Sequence, residues 1–188
     1  MKLVKLAIVM SLFLTGCKES AQNKSTAVPD KEERPATPKD LTTDAFSNVE
    51  TIPLPFMDST NFENFKESKK LTDSEIDILK LKTINQDAAN FFIRYKVPFS
   101  NTFRSVVVTY QLGEFELVTM LINYDTGYHI IDKLDIAYDE IAESQLRKQS
   151  LLEKNSIKVE DINWFEETSA KETVIYEISP EGKIIARK

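Results

Sequence analysis

The chain has 188 residues, with 24 basic and 30 acidic side chains and a formal net charge of −6. The charges are interspersed and form no basic stripe, which excludes nucleic acid and electrostatic attraction to anionic lipid as expected partners. With one histidine, His129, and one cysteine, Cys17, the chain lacks the ligands of a His/Cys zinc centre, so neither a metal nor a cofactor is predicted.

The chain opens with a positive segment, Lys2 and Lys5, followed by the apolar run Leu6 to Leu14, "LAIVMSLFL". That run is too short to span a bilayer, which takes ~20 apolar residues. It has the form of a secretory signal. Its end, Leu14-Thr15-Gly16-Cys17, resembles the lipobox of bacterial lipoproteins. The resemblance implies cleavage between Gly16 and Cys17, a diacylglycerol on the Cys17 thiol and acylation of the new amine. Two or more acyl chains make a stable anchor where one is marginal. Membrane lipid is then the first partner, and the location is the cell envelope, at the outer membrane, with periplasmic and surface faces both open. No second cysteine exists to form a disulfide or serve as a thiol nucleophile.

From Lys18 to Ile52 the chain is rich in Ser, Thr, Pro, Lys, Glu and Asp and nearly free of aromatics. Such composition buries too little apolar surface to offset its ordering entropy. Residues 17–52 are therefore predicted to be a lipidated tether, about 30–35 Å long on average as a flexible coil. Residues 53–188 are enough for one domain with its own core.

The domain's helix start is explicit. In "KLTDSEIDILKLK", Thr72 is the expected N-cap and Glu75 stands three residues on, a capping box, with Leu71 and Ile76 placed for a hydrophobic staple. Two to three turns are predicted. From Phe91 the period changes to two. Phe91, Ile93, Tyr95 and Val97 alternate on one face, as do Val106, Val108, Tyr110 and Leu112. "EFELVTMLINY" is apolar on both faces and reads as a central strand. Tyr128, Ile130, Leu134, Ile136 and Tyr138 align next, and further strands follow from about Arg147, at "SIKVEDI", at "ETVIYEIS" and at "KIIAR". Gly113, Gly127 and Gly182 each separate two such runs, where a hairpin takes a residue at positive φ. The predicted fold is α+β: mainly an antiparallel β-meander sheet of five to seven strands with one short N-terminal helix.

Candidate chemistry is sparse. With all three glycines placed in hairpins, no phosphate cradle remains. His129 lies beside a turn, opposite the apolar face of its strand, and reads as a solvated edge residue rather than a catalytic one. Asp125, Asp132, Asp135, Asp139 and Glu140 cluster in sequence without the spacing of a calcium loop. Asp132 falls on an otherwise apolar face, as a hydrogen-bonded or a functional carboxylate. Tyr110, Tyr124, Tyr128 and Tyr138 are expected in the core with their hydroxyls at the rim. Trp164-Phe165 is a binding hot spot if exposed and a core cap if buried, and large aromatics are mostly inside. No catalytic residue is assigned, and the binding-surface candidates are Trp164, Phe165, Tyr128 and Asp132.

The chain as a whole resembles small lipoproteins of the Bacteroidota, in which a signal and tether precede a meander with "Y-D-x-G…I-D" turns, here Tyr124-Asp125-Thr126-Gly127 and Ile131-Asp132. The resemblance implies location and fold and carries no active site. A membrane-anchored, non-enzymatic binding or envelope-associated role is expected, with an envelope protein as the possible partner. The alternatives are an inhibitor or immunity-type protein that sequesters a toxin or enzyme, and a small hydrolase using paired carboxylates. An exposed sheet face both acidic and aromatic would distinguish the inhibitor.

Overall fold

The computed structural model describes residues 45–141, 146–164 and 170–187, all within one compact unit that runs from residue 41 to 188. The elements in chain order are β1 (Phe56–Asp58), β2 (Lys69–Lys70), α1 (Asp73–Ile78), a 3-10 turn (Leu81–Thr83), β3 (Ala88–Val97), β4 (Arg104–Leu112), β5 (Glu116–Tyr124), β6 (Ile130–Glu140), β7 (Leu146–Leu152), β8 (Ser156–Asn163), β9 (Ala170–Ile178) and β10 (Ile184–Ala186). They form one antiparallel sheet in sequence order from β2 to β10, with β1 attached to β7. The meander is as predicted, but ten strands replace the five to seven expected. Strands β1 and β2, three and two residues long, are too short to show an alternation.

The helix begins as its sequence dictates. Thr72 Oγ1 accepts the Glu75 N–H at 3.3 Å and a Glu75 carboxylate oxygen accepts the Thr72 N–H at 2.9 Å, closing the capping box. Leu71 and Ile76 are both buried. The helix has only six residues, because Lys80 adopts a left-handed φ of 54° that ends it.

Strands β3 to β6 are covered on both faces. On one face Phe91, Ile93, Val106, Val108, Tyr110, Met120, Ile122 and Tyr124 pack beneath Leu71, Ile76, Leu79 and Leu81. On the other, Tyr95, Val97, Val107, Leu121 and Ile136 meet Leu152, Ile157 and Val159 of the later strands. Strand β5 is buried from Leu117 to Tyr124, as expected of a central strand with two apolar faces.

Two predicted stripes are broken by β-bulges, since one extra residue turns the following side chains to the opposite face. In β3 the register slips between Ile93 and Tyr95, so Phe91 and Ile93 enter the first core, Tyr95 and Val97 the second. In β6 slips at Ile131 and Ile136 send Ile130 and Tyr138 to the first core and Leu134 and Ile136 to the second.

Residues 45–52, assigned by composition to the tether, belong to the fold. Phe46 is 0% exposed in the first core, with its ring 5.7 Å from Tyr124. The Lys96 N–H donates to the Glu50 carbonyl at 2.7 Å and the Ile52 N–H to the Lys96 carbonyl at 3.1 Å, laying this segment parallel to β3 at Thr51. The composition signal failed because one aromatic and one isoleucine anchor an otherwise polar stretch. Among the described residues no helix is long and apolar enough to cross a membrane.

Candidate functional site

The sequence candidates divide. Cys17, Gly16 and Phe165 lie outside the described residues. Tyr128 is a fastener: its hydroxyl accepts the Ala45 N–H at 2.8 Å, its ring meets Phe46 edge-on at 5.4 Å, and the Arg104 guanidinium lies over it at 5.3 Å. It also carries the positive φ of its turn, 60°, which the sequence assigned to Gly127. Asp125 organises that turn, taking the N–H groups of Gly127 and His129 at 2.8 Å each and pairing with His129 Nδ1 at 3.0 Å. Hydrogen bonding to His129 holds its carboxyl below the usual range, and His129 faces solvent.

Asp132, the carboxylate singled out on an apolar face, joins two parts of the sheet. It accepts the Ile184 N–H of β10 and the Lys133 N–H, each at 3.0 Å, while Lys183 Nζ reaches the Ile131 carbonyl at 2.7 Å. Tyr110 and Tyr124 are core residues, and Tyr124 donates to the Leu79 carbonyl at 2.9 Å. Burial raises both phenols. Asp139 is buried, accepts the Phe62 N–H at 3.0 Å and pairs with Arg147 at 3.0 Å.

Asp135 is different. Its Oδ1, like that of Asp139, is buried with no hydrogen-bond partner among the described residues, but Asp139 Oδ1 has the ion pair with Arg147 and Asp135 has no ion pair among them. Burial raises its carboxyl above the usual range against the pull of Lys148 and Lys133, and Asp161 adds to the rise. This group lines a cavity of about 510 Å3 where β6, β7, β8 and β9 converge, together with Tyr138, Leu146, Arg147, Lys148 and Lys171. A second cavity of about 210 Å3 shares Tyr138, Arg147, Lys148 and Ile162 with the first and extends to Trp164. The two adjoin at these four shared residues, with Asp135 on the larger and Trp164 on the smaller, and are together called the groove. A further cavity of about 590 Å3, between the β3–β4 connection and β9, has its Arg187 already paired with Glu177.

The groove has an apolar rim. Leu146 is 39% exposed and Trp164 53%; Leu146 pairs with Asn163, the residue before Trp164, and lines the larger cavity while Trp164 lines the smaller. Phe115 at 54% and Ile141 at 50% stand at the same end of the sheet, joined by the Ile141 N–H to the Phe115 carbonyl at 2.8 Å. Trp164, expected inside as a large aromatic, is thus exposed beyond the last residue of β8.

The bases lining the groove are held internally. Arg147 pairs with Asp139 at 3.0 Å, Lys148 with Asp161 at 3.3 Å and Lys171 with Glu160 at 2.6 Å. Hydrogen bonds from Lys158, Lys171 and Gln149 pull Glu160 down to about 2. The Tyr138 hydroxyl lies 3.0 Å from a carboxylate oxygen of both Glu116 and Glu140. Among the described residues no three His, Cys, Asp or Glu side chains are grouped as a metal site would need.

Of the three binding-surface candidates among the described residues, Trp164, Tyr128 and Asp132, only Trp164 lines the groove. Asp135, Arg147, Lys148 and Leu146 were missed. The signal for Asp135 was a carboxylate on an apolar stripe, and the β6 bulges make that residue Asp135 rather than Asp132. No protein-family model matches the chain, nor does any curated protein or solved structure.

Proposed function

We propose that the chain is a lipid-anchored envelope protein with a non-enzymatic binding role, tethered at the outer membrane through Cys17, and that the groove at the β6–β9 end is its binding site. The observation that carries this is the large, half-exposed tryptophan, Trp164, on a cavity that adjoins the one holding Asp135, whose Oδ1 has no hydrogen bond among the described residues. Exposed aromatics next to a pocket concentrate binding energy, and the rim exposes four large apolar side chains at one end of the sheet. The anchor rests on the Leu14–Cys17 motif and on the polar stretch behind it. A second reading, an inhibitor that sequesters a toxin or enzyme, draws on Glu116 and Glu140 beside the same rim, which gives the acidic and aromatic surface such a protein needs.

The test is photo-crosslinking in the native envelope from a photoreactive residue at position 164, with position 69 on β2 as control, combined with mass spectrometry of the amino terminus. A discrete adduct from 164 and none from 69, on a protein whose first residue is an acylated Cys17, is the expected result. An unmodified chain starting elsewhere refutes the anchor, and equal labelling from both positions refutes the site.

A further inference from the structure

Taking the groove as the binding site, we infer that it receives a Lys or Arg side chain from an extended segment of a polypeptide partner, with Asp135 as the acceptor and the exposed Leu146, which lines the same cavity, covering the aliphatic stem. Charge supplies the first reason. Arg147, Lys148 and Lys171 are each committed to an internal carboxylate. Asp135 Oδ1 has no partner, and Glu116 and Glu140 meet the Tyr138 hydroxyl and no cation among the described residues. The three bases that line the groove are therefore already paired, and an anion entering it would face carboxylates whose neighbouring bases are occupied. A buried acceptor without a donor costs free energy until a donor arrives, and a cationic donor makes the stronger bond.

The second reason favours a polypeptide over a small amine. Strand β9 pairs with β8 along its whole length, but with β10 only from Tyr176 to Ile178. The Ile175 carbonyl accepts the Arg187 N–H from the β10 side. By strand alternation the backbone groups of Lys171 and Thr173 point to that same side, where among the described residues no strand pairs with β9. Ala170, Lys171 and Glu172 of this stretch line the groove. An extended chain can add to β9 where β10 stops and hold its side chains at the groove, as in strand-addition recognition.

Trp164 is the sole tryptophan and lines the adjoining cavity, which shares Tyr138, Arg147, Lys148 and Ile162 with that of Asp135, so fluorescence of the full-length protein in detergent reports on the groove. The probes are acetylated and amidated Ser-Leu-Lys-Leu-Ser, the same peptide with norleucine for lysine, and the same with glutamate. The lysine peptide is expected to bind about tenfold tighter than the norleucine one, the gain of a charge-assisted hydrogen bond, and the glutamate peptide weakest. Asp135→Asn is expected to lower the lysine peptide to the norleucine level and leave norleucine binding unchanged. Its thermal midpoint near neutral pH should not fall, since an unpartnered buried carboxylate contributes nothing to folding, and this shows that the variant is intact. Equal affinity for lysine and norleucine, or an unchanged preference in Asp135→Asn, overturns the cation while leaving the groove as a site. Silence of Trp164 toward all three peptides overturns the inference as well. Silence together with no adduct from position 164 removes the groove reading too.

Discussion

Replacing Phe46 by alanine separates a docked segment from a tether. The side chain is fully buried against Tyr124 and Tyr128. An aromatic side chain buries roughly 150 Å2 or more, which at ~25 cal/mol per Å2 is about 4 kcal/mol of transfer free energy. Measured Phe→Ala losses in cores fall at about 3–5 kcal/mol, cavity included. For a domain of this size the thermal midpoint should drop by roughly 2–4 °C for each kcal/mol, hence about 10 °C. The assay is urea unfolding followed by far-UV circular dichroism, with the slope unchanged and the midpoint lowered. Ser47→Ala, at the exposed residue next to it, is the comparison and should change little. A Phe46→Ala loss under ~0.5 kcal/mol, typical of an exposed position, would refute the docking. The composition-based boundary near residue 53 would then be correct.

Two further outcomes follow from the turns and the ion pairs. Gly182 has φ of +85°, and an added Cβ would lie 3.1 Å from the Phe103 ring and 3.3 Å from Ile131. Gly182→Ala should therefore cost about 1–3 kcal/mol, whereas Gly127→Ala, whose new Cβ meets only the exposed His129 and Asp125 side chains, should cost much less by the same unfolding assay. Glu160, held at about 2 in the fold against an ordinary 4.5, is lowered by folding, so its contribution is present above about pH 4.5 and lost as the pH falls toward 2. Glu160→Gln should flatten the acid side of the stability profile, measured as urea midpoints between about pH 7 and 2.5, and an unchanged acid slope would show that the lysines do not hold this carboxylate.

How much was legible follows from how local each signal is. The capping box at Thr72 and Glu75 needs only four consecutive residues, and it formed as written. The meander order was readable because runs from Phe103 to Tyr138 are long and separated by short turns. What failed depended on distant partners. The bulges at Arg94, Ile131 and Ile136 are not marked by Gly or Pro; they exist because β3 and β6 must serve two cores in succession. Phe46 looked solitary because its neighbours, Tyr124 and Tyr128, lie about eighty residues away in the chain. The turn before β6 put its left-handed residue at Tyr128, where packing on Phe46 and Arg104 outweighs the backbone cost that favours glycine. Trp164 reads as core by residue type alone, and only the end of β8 at Asn163 places it outside.

The groove itself is a consequence of topology. Strands β6 and β7 pair through just two residue pairs, Tyr138 with Lys148 and Asp139 with Arg147. Beyond them β7 leaves β6 and takes β1 as its neighbour instead. Where neighbouring strands part, side chains lose the close contact that fills a sheet, and polar groups need other partners. Most find them: Asp139 takes Arg147 and the Phe62 N–H, and Ser150 donates to the Ile136 carbonyl at 2.6 Å. Deeper in the sheet the buried polar groups pair likewise, Thr109 with Thr119 at 2.8 Å and Ser105 with Asn123 at 2.7 Å. Against that pattern two buried carboxylate oxygens have no hydrogen bond among the described residues: Asp139 Oδ1, which faces Arg147, and Asp135 Oδ1, which has no ion pair either. An asparagine or leucine there would satisfy the fold at lower cost. The inferred cation would supply from outside the partner that Asp135 Oδ1 lacks among the described residues, and the Asp135→Asn comparison decides it.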